Sequence, residues 1–175
     1  VSVFEGVPVA IPVREDENFQ LDPEMIKKKL GDQTRALIIN SPANPTGVVT
    51  SSEQMKELVT LTEGKATIVS DEVYHGLEYG TEAHSILEYS AGAIVVNGFS
   101  KLFAMTGWRL GYAIVPKFLI RPIQKLQQNL FISAPDFTQF AAIAALTNTA
   151  DEIEQRRKRY DKRRRFVLQR LEEIG

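Results

Sequence analysis

Three short apolar runs do most to limit what this sequence can fold into: ALIIN (Ala36 to Asn40), ATIVS (Ala66 to Ser70) and AIVVN (Ala93 to Asn97). Each is one strand long, rich in β-branched residues and almost free of polar interruption, the pattern of a strand buried on both faces. Helical segments separate them. Asp22 and Pro23 open a helix that runs to Leu30 and stops at Gly31, with a carboxylate at the N-cap and proline at the first helical position. Ser51 and Ser52 open another, reaching about Glu63, with Met55, Leu58, Val59 and Thr62 along one face. A helical turn falls around Ser85 to Tyr89, a further strand over Leu110 to Val115, and packed helices over Phe118 to Leu130 and Pro135 to Leu146. Strand–helix alternation of this kind predicts an α/β fold, a mostly parallel sheet covered by helices in three layers.

Two segments stand apart from that alternation. Val7 to Val13 (VPVAIPV) reads as a strand, and its prolines place it at an edge. From Asp151 onward a long helix is dense in charge, with Arg156, Arg157, Lys158 and Arg159 followed by Lys162 to Arg165. A nucleic-acid patch is one reading of that run. The better one is an amphipathic helix with a solvated basic face, because Ile153, Tyr160, Val167, Leu168 and Leu171 recur along it. Its acidic Asp151, Glu152 and Glu154 also sit suitably near the positive end of the helix dipole. The chain opens at Val1 without an initiator methionine. The expectation is a piece of a longer protein, with one domain over residues 1–150 and a helix over 151–175 leading toward a small domain.

Charge and composition exclude several functions. A net charge of -1 gives no general attraction to nucleic acid or anionic membranes. The absence of cysteine rules out disulfides and thiolate metal sites, and no metal centre is expected. No apolar run approaches the roughly 20 residues of a membrane span, and no secretory signal is visible, so the expected location is the cytoplasm.

In open α/β sheets, ligands bind beyond the carboxyl ends of the strands, and there the sequence places its reactive groups. Asn44 follows the first buried strand, Asp71 and Tyr74 follow the second, and Ser100 and Lys101 follow the third, with Arg109 a few residues on. Singly, each has an ordinary explanation: a helix cap for Asp71, a turn for Asn44 before Pro45, a solvated surface for Lys101 and Arg109, packing for Tyr74. Jointly, three successive strand ends aim an amide, a carboxylate with a phenol, and an amine at one rim.

The segments NPTG (Asn44 to Gly47), SDEVY (Ser70 to Tyr74) and FSKLFAMTGWRLGY (Phe99 to Tyr112) resemble, in this order, the class I/II aminotransferases of the fold-type-I pyridoxal-phosphate enzymes. NPTG alone is a weak signal, whereas the three together are specific. The resemblance extends over essentially the whole chain and implies most of a large, cofactor-binding domain. It implies that Lys101 holds pyridoxal 5'-phosphate covalently through its amine. Asp71 would pair with the pyridine nitrogen, Tyr74 and Asn44 would hydrogen-bond the ring's phenolic oxygen, and Arg109 and Ser100 would take the phosphate. One departure is Gly98, three residues before the lysine, where the family often has a phosphate-binding serine.

These residue types suit transamination, in which an α-amino acid gives its amino group to a 2-oxo acid. A carboxylate keeps the pyridine ring protonated as an electron sink, and only a primary amine can both hold the aldehyde and yield it to the substrate's amine. The resemblance also implies a homodimer, with small amino and 2-oxo acids as the other partners. Two alternatives share these residues: a β-eliminating carbon–sulfur lyase of the same fold, and a non-catalytic aminotransferase-like sensor domain. Regions outside the chain would hold the rest of the site, so the chain alone is expected to be catalytically crippled and oligomeric.

Overall fold

A computed structural model describes residues 1–175 apart from the side chain of Val3. Its centre is a four-stranded sheet of β1 (Ala36–Asn40), β2 (Thr67–Asp71), β3 (Ile94–Gly98) and β4 (Gly111–Ile114), in the order β1-β2-β3-β4. The first three strands are parallel and β4 is antiparallel to β3. Each strand lies within one residue of its sequence expectation, because the apolar runs fit the pleat at only one length.

Helix α1 (Pro23–Lys29) precedes β1, and α2 (Ser52–Thr62) crosses from β1 to β2. Their starts follow from local chemistry. Asp22 accepts the backbone N–H of Glu24 at 2.8 Å, and Ser51 with Gln54 forms a reciprocal capping box. The end of α1 differs from expectation: Leu30 is its C-cap in an extended conformation, so the conformational freedom of Gly31 is not used. A short 3-10 turn, Ile86–Glu88, starts on a second capping box, between Ser85 and Glu88.

The main core lies on one face of the sheet, where Leu37, Ile39, Ile68 and Val95 meet Ile26, Met55, Leu58 and Ile86. Met55, Leu58 and Ile86 are wholly buried, each contributing about 1.5–3 kcal/mol relative to exposure. On the other face Ile38 is 62% exposed and Val96 41%. The doubly buried strands expected from the sequence are therefore buried on one face only within this chain. Apolar composition says that a face needs cover, and packing decides whether this chain supplies it.

The remaining helices are α3 (Lys117–Leu130), α4 (Asp136–Asn148) and α5 (Ala150–Ile174). Ala142 and Ala145 of α4 pack on Phe99 and Met105 in a second, smaller core behind the β3–β4 connection. Helix α3, expected to be packed, has no buried residue, and Phe118 and Leu130 are open to solvent. The expected edge strand at Val7–Val13 is also corrected, since that segment has no regular structure. Pro8 and Pro12 each remove a ladder donor, and β1 pairs only with β2. No helix among the described residues is long and apolar enough to cross a membrane.

Candidate active site

The parallel strands end side by side, so their following turns are neighbours whatever their separation in sequence. Asn40 and Asp71 are register partners at the ends of β1 and β2. Asn40 ties that end together. Its side-chain amide donates to the Asp71 carbonyl at 3.0 Å, while its side-chain oxygen accepts the backbone N–H of Asn44 at 2.9 Å. One residue thus sets both the Asp71 backbone and the turn that carries Asn44. In the sequence Asn40 is marked only as a polar residue closing an otherwise apolar strand.

The turn then aims Asn44 across to the next strand end. Its side-chain N–H donates to the Tyr74 hydroxyl at 2.9 Å. Asp71 Oδ1 accepts the N–H of Val73 at 3.2 Å, so the carboxylate does cap the turn after its strand, as its ordinary explanation holds. Its other oxygen has no hydrogen-bond partner among the described residues. Lys101 stands over the Tyr74 ring with Nζ 5.6 Å from the centroid, is exposed, and makes no salt bridge among the described residues. Asn44, Tyr74 and Lys101 are therefore brought together, with Asp71 at the base of the same turn.

The β3–β4 connection is wound tightly on itself. The N–H of Met105 donates to the Phe99 carbonyl at 3.1 Å, and that of Ala104 to the Lys101 carbonyl at 3.1 Å. The Thr106 hydroxyl donates to the Ser100 carbonyl at 3.0 Å. Arg109, with φ +52, folds back to donate from Nη1 to the Thr106 carbonyl at 3.0 Å. Arg109 is thus on the same connection as Ser100 and Lys101, tethered at one nitrogen. Gly98 has a packing reason: it pairs with Gly111 across β3 and β4, and a Cβ there would sit 3.3 Å from the Leu110 carbonyl. A side chain there would need that neighbouring backbone to give by a few tenths of an ångström.

Glu72, next to Asp71, is 2% exposed. It accepts the Ile86 N–H at 2.9 Å and the Ser85 hydroxyl at 3.2 Å, with His75 Nδ1 at 3.6 Å. It thereby closes the base of the loop that presents Tyr74. Burial raises the Tyr112 hydroxyl above its ordinary range, and the negative charge of Glu72 adds to that. Tyr74 also lines a cleft of about 360 Å³ with Pro42, Leu77, Tyr79 and Arg164; Asp71 and Lys101 are not among its walls. No cluster of three His, Asp or Glu side chains suited to a metal occurs among the described residues.

The family model for aminotransferase class I and II matches residues 3–175. The chain belongs to that family. Among similar aminotransferases, (5-formylfuran-3-yl)methyl phosphate transaminase of Methanocaldococcus jannaschii is 45% identical over 87% of this chain and 41% of its own length. Aspartate aminotransferase of Geobacillus stearothermophilus is 39% identical over 99% of this chain and 46% of its own length. Among solved structures, a double mutant of Thermus thermophilus aspartate aminotransferase superposes with a TM-score of 0.93 at 36% identity, covering 97% of this chain and 46% of that one. Aromatic aminotransferase from Pyrococcus horikoshii gives 0.89 at 40% identity, over 96% and 47%. The α/β fold of this chain is thus the fold of those enzymes, and the chain spans less than half the length of the relatives it matches.

Proposed function

We propose that the protein transfers an amino group between an α-amino acid and a 2-oxo acid, with pyridoxal 5'-phosphate held at Lys101. The observation that carries this reading is the convergence of Asn44, Tyr74 and Lys101 at the strand-end rim that also holds Asp71. The donor set suits the cofactor. An amine without a salt-bridge partner is available to its aldehyde, a carboxylate oxygen to its pyridine nitrogen, and a paired amide and phenol to its ring oxygen. Bound pyridoxal phosphate supplies the electron sink that makes loss of a substrate's Cα proton feasible.

The chain's own residues then have separable tasks. Asp71 holds a proton on the ring nitrogen by placing a negative charge beside it. Tyr74, oriented by Asn44, fixes the ring by hydrogen bonding at one side. Arg109 and Ser100 bind the phosphate, the guanidinium through its planar fork of donors. Lys101, once its amine is released to the active site, moves a proton to or from the substrate Cα. A lysine suits the step because its flexible stem reaches more than one atom.

Residues 1–150 form the cofactor-binding part of this proposal, and the substrate side chain is recognised largely elsewhere. A second copy of the chain is the proposed partner, supported by exposed apolar residues on α3 and α4 such as Phe118, Phe137 and Phe140. The test is nitrogen transfer. With pyridoxal phosphate and a panel of amino acids and 2-oxo acids, the protein forms the new amino acid, and Lys101→Ala does not. Release of ammonia with pyruvate, in place of transfer, would contradict the proposal in favour of a lyase.

A further inference from the structure

The basic run of α5 is not simply a solvated face. Arg156 and Arg157 are half-buried, whereas neighbouring Lys158 and Arg159 are exposed. Arg156 Nη1 donates to the Leu102 carbonyl at 2.6 Å. That carbonyl belongs to the residue after Lys101, and its position in the loop gives the bond its weight. The carbonyls of Phe99, Ser100 and Lys101 are each satisfied from within the β3–β4 connection, by Met105, Thr106 and Ala104. The Leu102 carbonyl is reached instead from a separate element, 54 residues away in sequence. A charge-assisted bond to a half-buried carbonyl is among the stronger kinds available.

Leu102 also touches the other half of the site. Its side chain lies against Gly76 in the Tyr74 loop, so closely that a Cβ on Gly76 would be 2.8 Å from Leu102 Cδ1. The same helix reaches that loop. Arg157 Nη2 lies 3.5 Å from the Glu78 carbonyl, and the Arg164 guanidinium stacks 5.2 Å from the Tyr79 ring centroid. The loop bearing Lys101 and the loop bearing Tyr74 thus meet at Leu102 and Gly76, and α5 grips both from one side.

We propose that Arg156 is a positioning residue for Lys101: by fixing the Leu102 carbonyl it sets where the lysine amine stands relative to Tyr74, and Arg157 and Arg164 hold the opposing loop in register. This deepens the aminotransferase reading and rests on it for the meaning of Lys101, while the hold on the loop is testable without it.

The experiment compares Arg156→Met, which keeps the apolar stem and removes the donors, with Arg156→Lys and with Arg159→Met as a control on the exposed side. Amide hydrogen exchange is measured in the intact chain with and without pyridoxal phosphate, together with the rate at which bound cofactor is lost. In Arg156→Met, exchange at Ala104 and Met105 becomes about tenfold faster, as for the loss of one charge-assisted hydrogen bond. Cofactor loss accelerates in parallel. Arg156→Lys restores part of both, and Arg159→Met changes neither. Wild-type exchange at Ala104 and Met105 in Arg156→Met overturns the proposal. So does an increase that spreads equally to the β1 and β2 amides, which would mark general destabilisation. If wild-type protein retains no cofactor, the aminotransferase reading fails on that arm, and exchange still decides whether Arg156 holds the loop.

Discussion

The side-chain amide of Asn44 donates to the hydroxyl of Tyr74 at 2.9 Å, joining the turn after β1 to the turn after β2. Because Asn44 is itself held by Asn40 at 2.9 Å, the amide is in place before any ligand arrives. The two residues therefore act as one unit. Asn44→Ala and Tyr74→Phe each lower kcat/KM for transamination by about tenfold, and the double variant is little worse than either, as for residues within one network. A fully additive loss in a double-mutant cycle would show that they act independently.

Glu72 is the buried carboxylate on which the Tyr74 loop closes. Replacing it with alanine leaves the Ile86 N–H and the Ser85 hydroxyl without that acceptor, a loss of about 2–4 kcal/mol in unfolding free energy. Glu72→Gln keeps one acceptor oxygen and loses less. Urea denaturation of the two variants gives the order directly, and equal stabilities would remove Glu72 from the account of the loop.

Gly76 has φ +84, and its missing Cβ makes room for Leu102. Leu102 Cδ1 is the end of a flexible side chain and can turn aside, so the backbone conformation sets most of the penalty. Gly76→Ala destabilises by about 1–2 kcal/mol and weakens cofactor retention, because the displaced leucine follows Lys101. Thermal unfolding with cofactor titration checks both effects, and a stabilised variant would contradict the strained geometry.

Glu88 titrates below the usual carboxylate range, chiefly through its hydrogen bond with His84. A depressed carboxylate contributes stability above its unfolded-state pKa and loses it as pH falls through the lower folded value. Glu88→Gln is accordingly less stable than wild type near neutrality, and the difference closes in acid. Because the side chain is 49% exposed, the effect is small and screened by salt. Denaturation midpoints across pH at two ionic strengths test it; a difference that grows in acid would reverse the assignment.

The positions of β1, β2 and β3 were legible because each apolar run is bounded by turn residues and fits only one strand. The rim residues Asn44, Asp71, Tyr74, Ser100 and Lys101 were legible for a related reason, since the ends of parallel strands must be neighbours. Where the reading failed, the deciding partner lay elsewhere. Val7–Val13 has strand composition but no strand beside it, and α3 is amphipathic but buries no residue fully within this chain. Asn40, Glu72, Gly76 and Arg156 act through contacts that only the folded chain creates. Arg156 in particular is indistinguishable in sequence from Arg159, and one turns inward while the other remains in solvent.

Covalent attachment of pyridoxal phosphate at Lys101 can be tested chemically. The protein is incubated with pyridoxal phosphate, reduced with borohydride to make any covalent attachment permanent, digested, and mapped by mass spectrometry. The pyridoxyl mass is expected on Lys101 and on no other lysine, with none in Lys101→Ala. Label spread over surface lysines such as Lys28 and Lys158, with Lys101 unmarked, would contradict it.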